Sequence, residues 1–211
     1  VATTRIDLGI AVVPAATRSP ALLAMGAATV SSLLRGRRFD LGVGASSALI
    51  VEGWHGDVFE PPLARVKEAV EATRALLAGE RSYRGDWVTV DGFRLVSQPA
   101  GPLAVSIGAL GPGMLRLAGS VGDGVCLNLM TTSAVPRQLA AVDEGAKRAG
   151  RVLPEDFGVM ARFHVALGDD VGEGRDLIRY GFGPYFAQPV YNRFLAWMGY
   201  EDAAVRLQEA F

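Results

Sequence analysis

Residues 103–119 read LAVSIGALGPGMLRLAG, an apolar run that passes through a glycine-bearing turn into a segment carrying Met114, Leu115, Leu117 and Ala118 at helical spacing. An uninterrupted apolar run bounded by turn residues is the pattern of a strand buried on both faces. Pro112 stands just inside the helix start, where its missing N–H costs nothing. The stretch is therefore a strand that hands directly to a helix, and similar units flank it on both sides.

Toward the amino terminus, residues 6–13 form an apolar, β-branched run closed by Pro14. Arg18-Ser19-Pro20 then supplies an N-cap and a first-turn proline for a helix with Leu22, Leu23, Ala27, Val30, Leu33 and Leu34, which Gly36 stops. Residues 39–44, FDLGVG, make a short strand that runs into the small residues Ala45-Ser46-Ser47; Pro61-Pro62 opens a helix striped by Leu63, Val66, Val70, Leu76 and Leu77, ended by Gly79. Residues 87–96 alternate around Asp91-Gly92, which predicts a small hairpin outside the regular rhythm. Toward the carboxyl terminus the pattern gives a strand over 125–129, a helix over 135–149, a strand over 157–167, and a tail over 171–211 of helices with aromatic-rich loops.

Strands alternating with helices through short connections call for a parallel sheet with helices outside it. No repeat or low-complexity stretch divides the chain, so residues 1–211 read as one α/β domain, with an insertion-like helical and aromatic region at about 170–200. Five strands do not close the eight-stranded barrel this rhythm implies, so either the chain is incomplete or a partner covers the gap. The sequence begins Val1-Ala2 rather than with methionine and shows no export signal, which points to a natural amino terminus further upstream.

With 21 basic against 22 acidic residues and no Lys/Arg block, the chain lacks the electrostatic footprint of a nucleic-acid binder. Its apolar runs are broken well before about 18 residues, too short to span a membrane. One cysteine, Cys126, inside the apolar run Val125-Cys126-Leu127, excludes an internal disulfide and fits a reducing, cytoplasmic setting. The two histidines, His55 and His164, have no partners at metal-ligand spacing, so no protein-bound metal is expected. His164 sits in an apolar run and reads as a core residue.

Four motifs occur in order: LGIAVVP at 8–14 with Arg18-Ser19-Pro20, GRRFDLGVG at 36–44, EGWHG at 52–56, and ALGPGMLRLAG at 109–119 continuing to Asp123-Gly124. With them the chain resembles the luciferase-like monooxygenase superfamily, and within it the F420-dependent oxidoreductases; the resemblance covers residues 3–150. It implies a (β/α)8 TIM barrel whose third strand is the first one seen here and whose seventh is the fifth, so that the first two strands and the last lie outside this sequence. It also implies a bound F420, or alternatively FMN, a small-molecule substrate and a homodimer.

In relatives the third strand carries a bulge with a non-prolyl cis peptide pressed against the cofactor ring. The resemblance assigns this bond to Ala11–Val12, with Val13 following, and small Gly9 and Ala11 would let a planar ligand approach the backbone; a plain buried strand is the other reading. Gly108-Ala109-Leu110-Gly111, leading to Met114, joins a strand's carboxyl end to a helix amino terminus, where free N–H groups and the helix dipole suit the phosphodiester of F420 or the phosphate of FMN. A ligand-free turn is the alternative.

Gly42-Val43-Gly44 is not a dinucleotide fingerprint, because a loop follows it rather than a helix. The resemblance turns Gly44 and Ser46 toward the cofactor. Several relatives carry an acid, amide or histidine at about Ser47, so the serine here leaves the proton donor open between Ser47 and His55. Asn128 and Thr131, at a strand's carboxyl end, face cofactor or substrate in a barrel, or merely cap the turn. Three functions remain: F420-dependent hydride transfer, FMNH2-dependent oxygenation, and a cofactor-storing or structural role like that of the non-fluorescent flavoproteins.

Overall fold

The computed structural model describes residues 4–210; Val1-Ala2, Thr3 and Phe211 lie outside the described residues. The chain runs β1 (Leu8–Pro14), α1 (Pro20–Leu33), β2 (Phe39–Gly44), a π-helical turn (Leu49–Trp54), α2 (Pro62–Leu77), β3 (Tyr83–Arg84), β4 (Thr89–Val90), β5 (Leu103–Ala109), α3 (Pro112–Val121), β6 (Gly124–Asn128), α4 (Val135–Arg148), β7 (Gly158–Arg162), α5 (Val171–Ala187), α6 (Pro189–Trp197) and α7 (Glu201–Ala210). Turn chemistry sets many of these limits: Ser19 accepts from the Leu22 N–H to start α1, Asp170 accepts from Gly172 and Glu173 to start α5, and Gly36 and Gly79 take positive φ just past α1 and α2.

The main sheet has the order β1-β2-β5-β6-β7 and every neighbouring pair is parallel. Strands are thus added one after another on the same side, the progression of a barrel and not the reversal of a doubly wound sheet. Laid flat, β1 and β7 would stand about 19 Å apart, four strand spacings. Yet a Cβ placed on Gly9 of β1 would lie 3.6 Å from the Met160 sulfur of β7, so the sheet curls until its outer strands meet across the interior. The fold is an arc of five consecutive strands of a TIM barrel, as the sequence pattern predicts.

Alternation divides the two faces. Leu41, Val43, Val105, Ile107, Val125 and Leu127 point outward into the apolar core beneath the helices, which pack in chain order, α1 on α2, α2 on α3 and α3 on α4. Asp40, Gly42, Gly44, Ser106, Gly108, Cys126 and Asn128, the intervening residues, face inward.

Three expectations need correction. The last strand is shorter than 157–167: it stops at Arg162, which pairs with Asn128, the end of β6, and beyond it Phe163, Val165 and Leu167 are exposed with no ladder to join. The hairpin turns at 85–88 rather than at Asp91-Gly92, because the buried carboxylate of Glu68 accepts hydrogen bonds from the N–H groups of Asp86, Trp87 and Val88 and gathers that turn onto α2. The π-helical turn after β2 has no counterpart in the sequence reading.

The tightest joint lies between α3 and α4. A Cβ on Gly145 would run into the Arg116 carbonyl, and one on Gly119 into the Val142 carbonyl. These are backbone atoms that cannot swing aside, so the two glycines set the helix separation. We predict that Gly145→Ala destabilises the fold by about 2–3 kcal/mol in urea unfolding, whereas Gly26→Ala, whose Cβ meets nothing, is neutral or stabilising.

Candidate active site

All five strands of the main sheet are parallel, so their carboxyl ends, Pro14, Gly44, Ala109, Asn128 and Arg162, share one rim. Loops at this end of a parallel barrel stand clear of the core and are free to carry chemistry.

β1 is irregular where the rim begins. Ile10 pairs with Leu41 and Val13 with Val43, so Ala11 and Val12 together oppose Gly42; the Ala11–Val12 peptide is cis. The bulge turns the Val12 side chain onto the inner face, where its methyl groups lie over three glycines. A Cβ on Gly42, Gly44 or Gly108 would stand 2.8, 2.7 or 2.7 Å from them, closer than packed carbons approach. Glycine is therefore required at these three positions if Val12 is to lie flat against β2 and β5.

Beneath Val12 the interior becomes polar. Arg38 donates to Asp40 at 2.8 Å, and the Ser106 hydroxyl donates to the other Asp40 oxygen at 3.1 Å. Cys126 stands between this set and the glycine floor; burial, assisted by the Asp40 charge, pushes its thiol up to about 12. Cys126 is thus a buried small side chain whose thiol stays protonated at neutral pH.

On the rim, Ser46 and Leu129 both hold positive φ, +66° and +52°, just past β2 and β6. Residues with a Cβ take this conformation at a cost of about 1–2 kcal/mol, and such positions concentrate where a loop must present a particular surface. The Ser47 carbonyl accepts from Ile50 and Val51 to begin the π-helical turn, which ends at the exposed His55. Gly108, Ala109 and Leu110 lead to Gly111, the N-cap of α3, where no side chain caps the helix and a Cβ would meet open space. Met114 packs from the first turn of α3 onto the core. Asn128 holds its Oδ1 buried without a hydrogen-bond partner.

The tail is built onto this rim. Phe194 and Met198 pack with Ala134 against Leu110 and Leu129 of the two neighbouring loops, and Arg137 lies 4.8 Å from the centre of the Trp197 ring. The Tyr200 hydroxyl joins those of Thr131 at 3.2 Å and Ser133 at 3.3 Å. Thr131 is thus engaged with Tyr200, which lies 69 residues further along the chain.

His164, read as a core residue of a strand, lies past the end of β7 with its ring tilted 39° against Phe182 at 3.9 Å between ring centroids. Its imidazole is shifted down, first by desolvation and then by the nearby Arg162 charge. The rim therefore unites residues 11, 12, 44, 46, 108, 110, 111 and 128, with Thr131 beside them, while the Val13, Ala109 and Met114 side chains, also expected at the cofactor, pack outward into the core under the helices and His55 stands on the exposed end of its turn. Arg162 and His164 were missed because the apolar residues around them masked the point where pairing stops.

The whole chain, residues 1–211, matches the family model described as luciferase-like monooxygenase. The chain belongs to that family. Among its curated relatives, the F420-dependent glucose-6-phosphate dehydrogenase of Nocardia farcinica is 38% identical over 161 residues, 71% of this chain and 46% of that protein. The 5,10-methylenetetrahydromethanopterin reductase of Methanolobus tindarius is 32% identical over 174 residues, 82% of this chain and 52% of that protein. This luciferase-like chain thus spans about half the length of the curated relatives it matches. An F420-dependent secondary alcohol dehydrogenase in complex with an F420-acetone adduct shares the fold, with a TM-score of 0.75 at 24% identity over 86% of this chain and 56% of that one.

Two outcomes test the interior. Cys126 is expected to react with iodoacetamide at pH 8 on the order of a hundredfold more slowly in the native protein than in urea. Gly108→Ala should cost about 1–3 kcal/mol by displacing Val12, and adding Val12→Ala should recover much of that loss; additive costs would show that the two residues do not press on each other.

Proposed function

We propose that this chain binds the deazaflavin F420 across the strand ends and serves hydride transfer between that cofactor and a small organic substrate. The observation that carries the reading is the bulge at Ala11–Val12 lying flat over Gly42, Gly44 and Gly108 beside the uncapped amino terminus of α3. That combination offers a planar face for a ring and free N–H groups for a phosphate within one rim. The curated relative above that is named F420-dependent supports the choice of cofactor.

When bound, the deazaflavin supplies the redox chemistry at its central ring carbon. The chain's part is placement. Val12 and the glycines below it fix the plane on which a ring would lie; Gly111 and the first turn of α3 would hold the phosphate; Ser46 and Asn128 offer polar atoms to the ring edge or substrate. The α6 side chains Phe194 and Met198, pressed on the loops after β5 and β6, keep water from that side of the rim. FMN is the second reading, because its phosphate suits the same turn. Titration of the purified protein with F420 and with FMN, followed by fluorescence, decides the matter. Micromolar binding of F420 with weaker FMN is expected; binding of neither would end the proposal.

His55 and Ser47 are the proposed proton donors. Loss of the true donor lowers kcat about a hundredfold, so His55→Gln and Ser47→Ala should separate them, one variant slow and the other near the parent.

We further propose a cytoplasmic homodimer. No helix among the described residues is long and apolar enough to cross a membrane, and exposed Leu22, Met25 and Leu33 line the outer side of α1 as an apolar stripe for a second copy. Light scattering should give twice the chain mass, and Met25→Lys should lower it; a monomeric parent would refute the dimer.

A further inference from the structure

The rim contains a cation that neither the fold nor the cofactor reading uses. Arg162 is the last residue of β7, and the register of that strand settles which way it faces. Gly158 meets Arg38 and Asp40 across the interior, and Met160 meets Gly9. With a side-chain period of two, Arg162 points to the same inner face, at the mouth. Among the described residues its side chain makes no hydrogen bond and no ion pair, in contrast to that of the inward-facing Arg38 at the opposite end, which is paired with Asp40.

Its surroundings are those of a binding wall. His164, two residues on, carries a buried Nε2 without a partner, an atom able to donate to an anion, whereas Asn128, the partner of Arg162 in register on β6, carries a buried Oδ1 that is an acceptor and adds nothing to anion binding. The aromatic rings of Phe182, Tyr185 and Tyr191 close the same side: His164 lies against Phe182 with the rings tilted, and the Tyr191 hydroxyl donates to that of Tyr185 at 3.0 Å. Arg162 is near enough for its charge to act on both His164 and Tyr191. An arginine without a counter-charge at an open rim, beside aromatic rings, is free to meet an anion, and its planar fork matches the paired oxygens of a carboxylate or phosphate.

We propose that Arg162 is the anion-recognising residue of the substrate pocket, and that the substrate is a small organic anion whose carboxylate or phosphate docks on Arg162 beside His164. The inference rests on the F420 reading for the word substrate. The anion site stands on its own geometry, on the β6–β7 side of the rim, whereas the proposed phosphate turn of the cofactor lies between β5 and α3.

The test uses the purified chain with and without bound F420, probed with inorganic phosphate and with acetate by calorimetry, in the parent, Arg162→Gln and Arg162→Lys. The expected result is saturable binding of at least one anion to the F420-loaded parent, weakened about tenfold or more in Arg162→Gln and less in Arg162→Lys, with F420 affinity the same in all three. A preference for phosphate or for acetate names the anionic group. Arg162 is exposed at a strand end, so the variants are expected to fold, and an unchanged thermal midpoint checks this. Absence of anion binding to the parent, or binding unaltered in Arg162→Gln, overturns the proposal. So does loss of F420 affinity in Arg162→Gln, since that would assign the arginine to the cofactor. If F420 fails to bind the parent while phosphate or acetate still binds through Arg162, the cofactor reading falls and the anion site remains.

Discussion

The contact between Val12 and the glycines beneath it is the constraint on which the architecture of the rim depends. A strand placed at the edge of a parallel sheet would ordinarily hold its side chains upright and fill the barrel mouth with branched aliphatic groups. Here the bulge at Ala11 and Val12 lays one valine sideways across two neighbouring strands, and this is possible because Gly42, Gly44 and Gly108 have no Cβ atoms to oppose it. One local irregularity in β1 and three absent methyl groups in β2 and β5 together make a flat surface where a barrel interior is normally knobbed.

Much else follows from keeping that surface level. The outer face of the same strands carries Leu41, Val43, Val105, Ile107, Val125 and Leu127, which anchor the sheet to its helices. Gly119 and Gly145 bring α3 and α4 to backbone contact, so the β5–α3 turn and the β6–α4 loop are held by one rigid pair. The tail then docks onto those two connections through Phe194, Met198 and Tyr200. The residues facing the rim are thus carried by elements with little freedom of their own, which preorganisation of a binding site requires.

The order of strands and helices was legible because each unit carries local signals: Ser19-Pro20 ahead of α1, the FDLGVG run of β2, Pro112 at the head of α3. The rim positions contributed by β1, β2, β5 and β6 were legible for the same reason, since a strand's carboxyl end is known once the strand is. What escaped was set by contacts distant in sequence. The hairpin turn is placed by Glu68, about 20 residues upstream, through three backbone N–H groups. β7 ends where β6 can no longer pair, which no pattern within residues 157–167 announces. Tyr200 meets Thr131 across 69 residues of chain. Arg162 is a partial exception: parity with Gly158 and Met160 would have turned it inward had the end of the strand been known.

A planar cofactor on the Val12 surface, with its phosphate at the turn beside Gly111, would leave its mark on the backbone amide chemical shifts of the isotopically labelled protein recorded while F420 is added. The largest changes are expected on Ala11, Val12, Val13, Gly44, Gly108 and the Gly111–Gly113 turn. Saturable binding that leaves these amides unmoved and shifts others instead would contradict that placement.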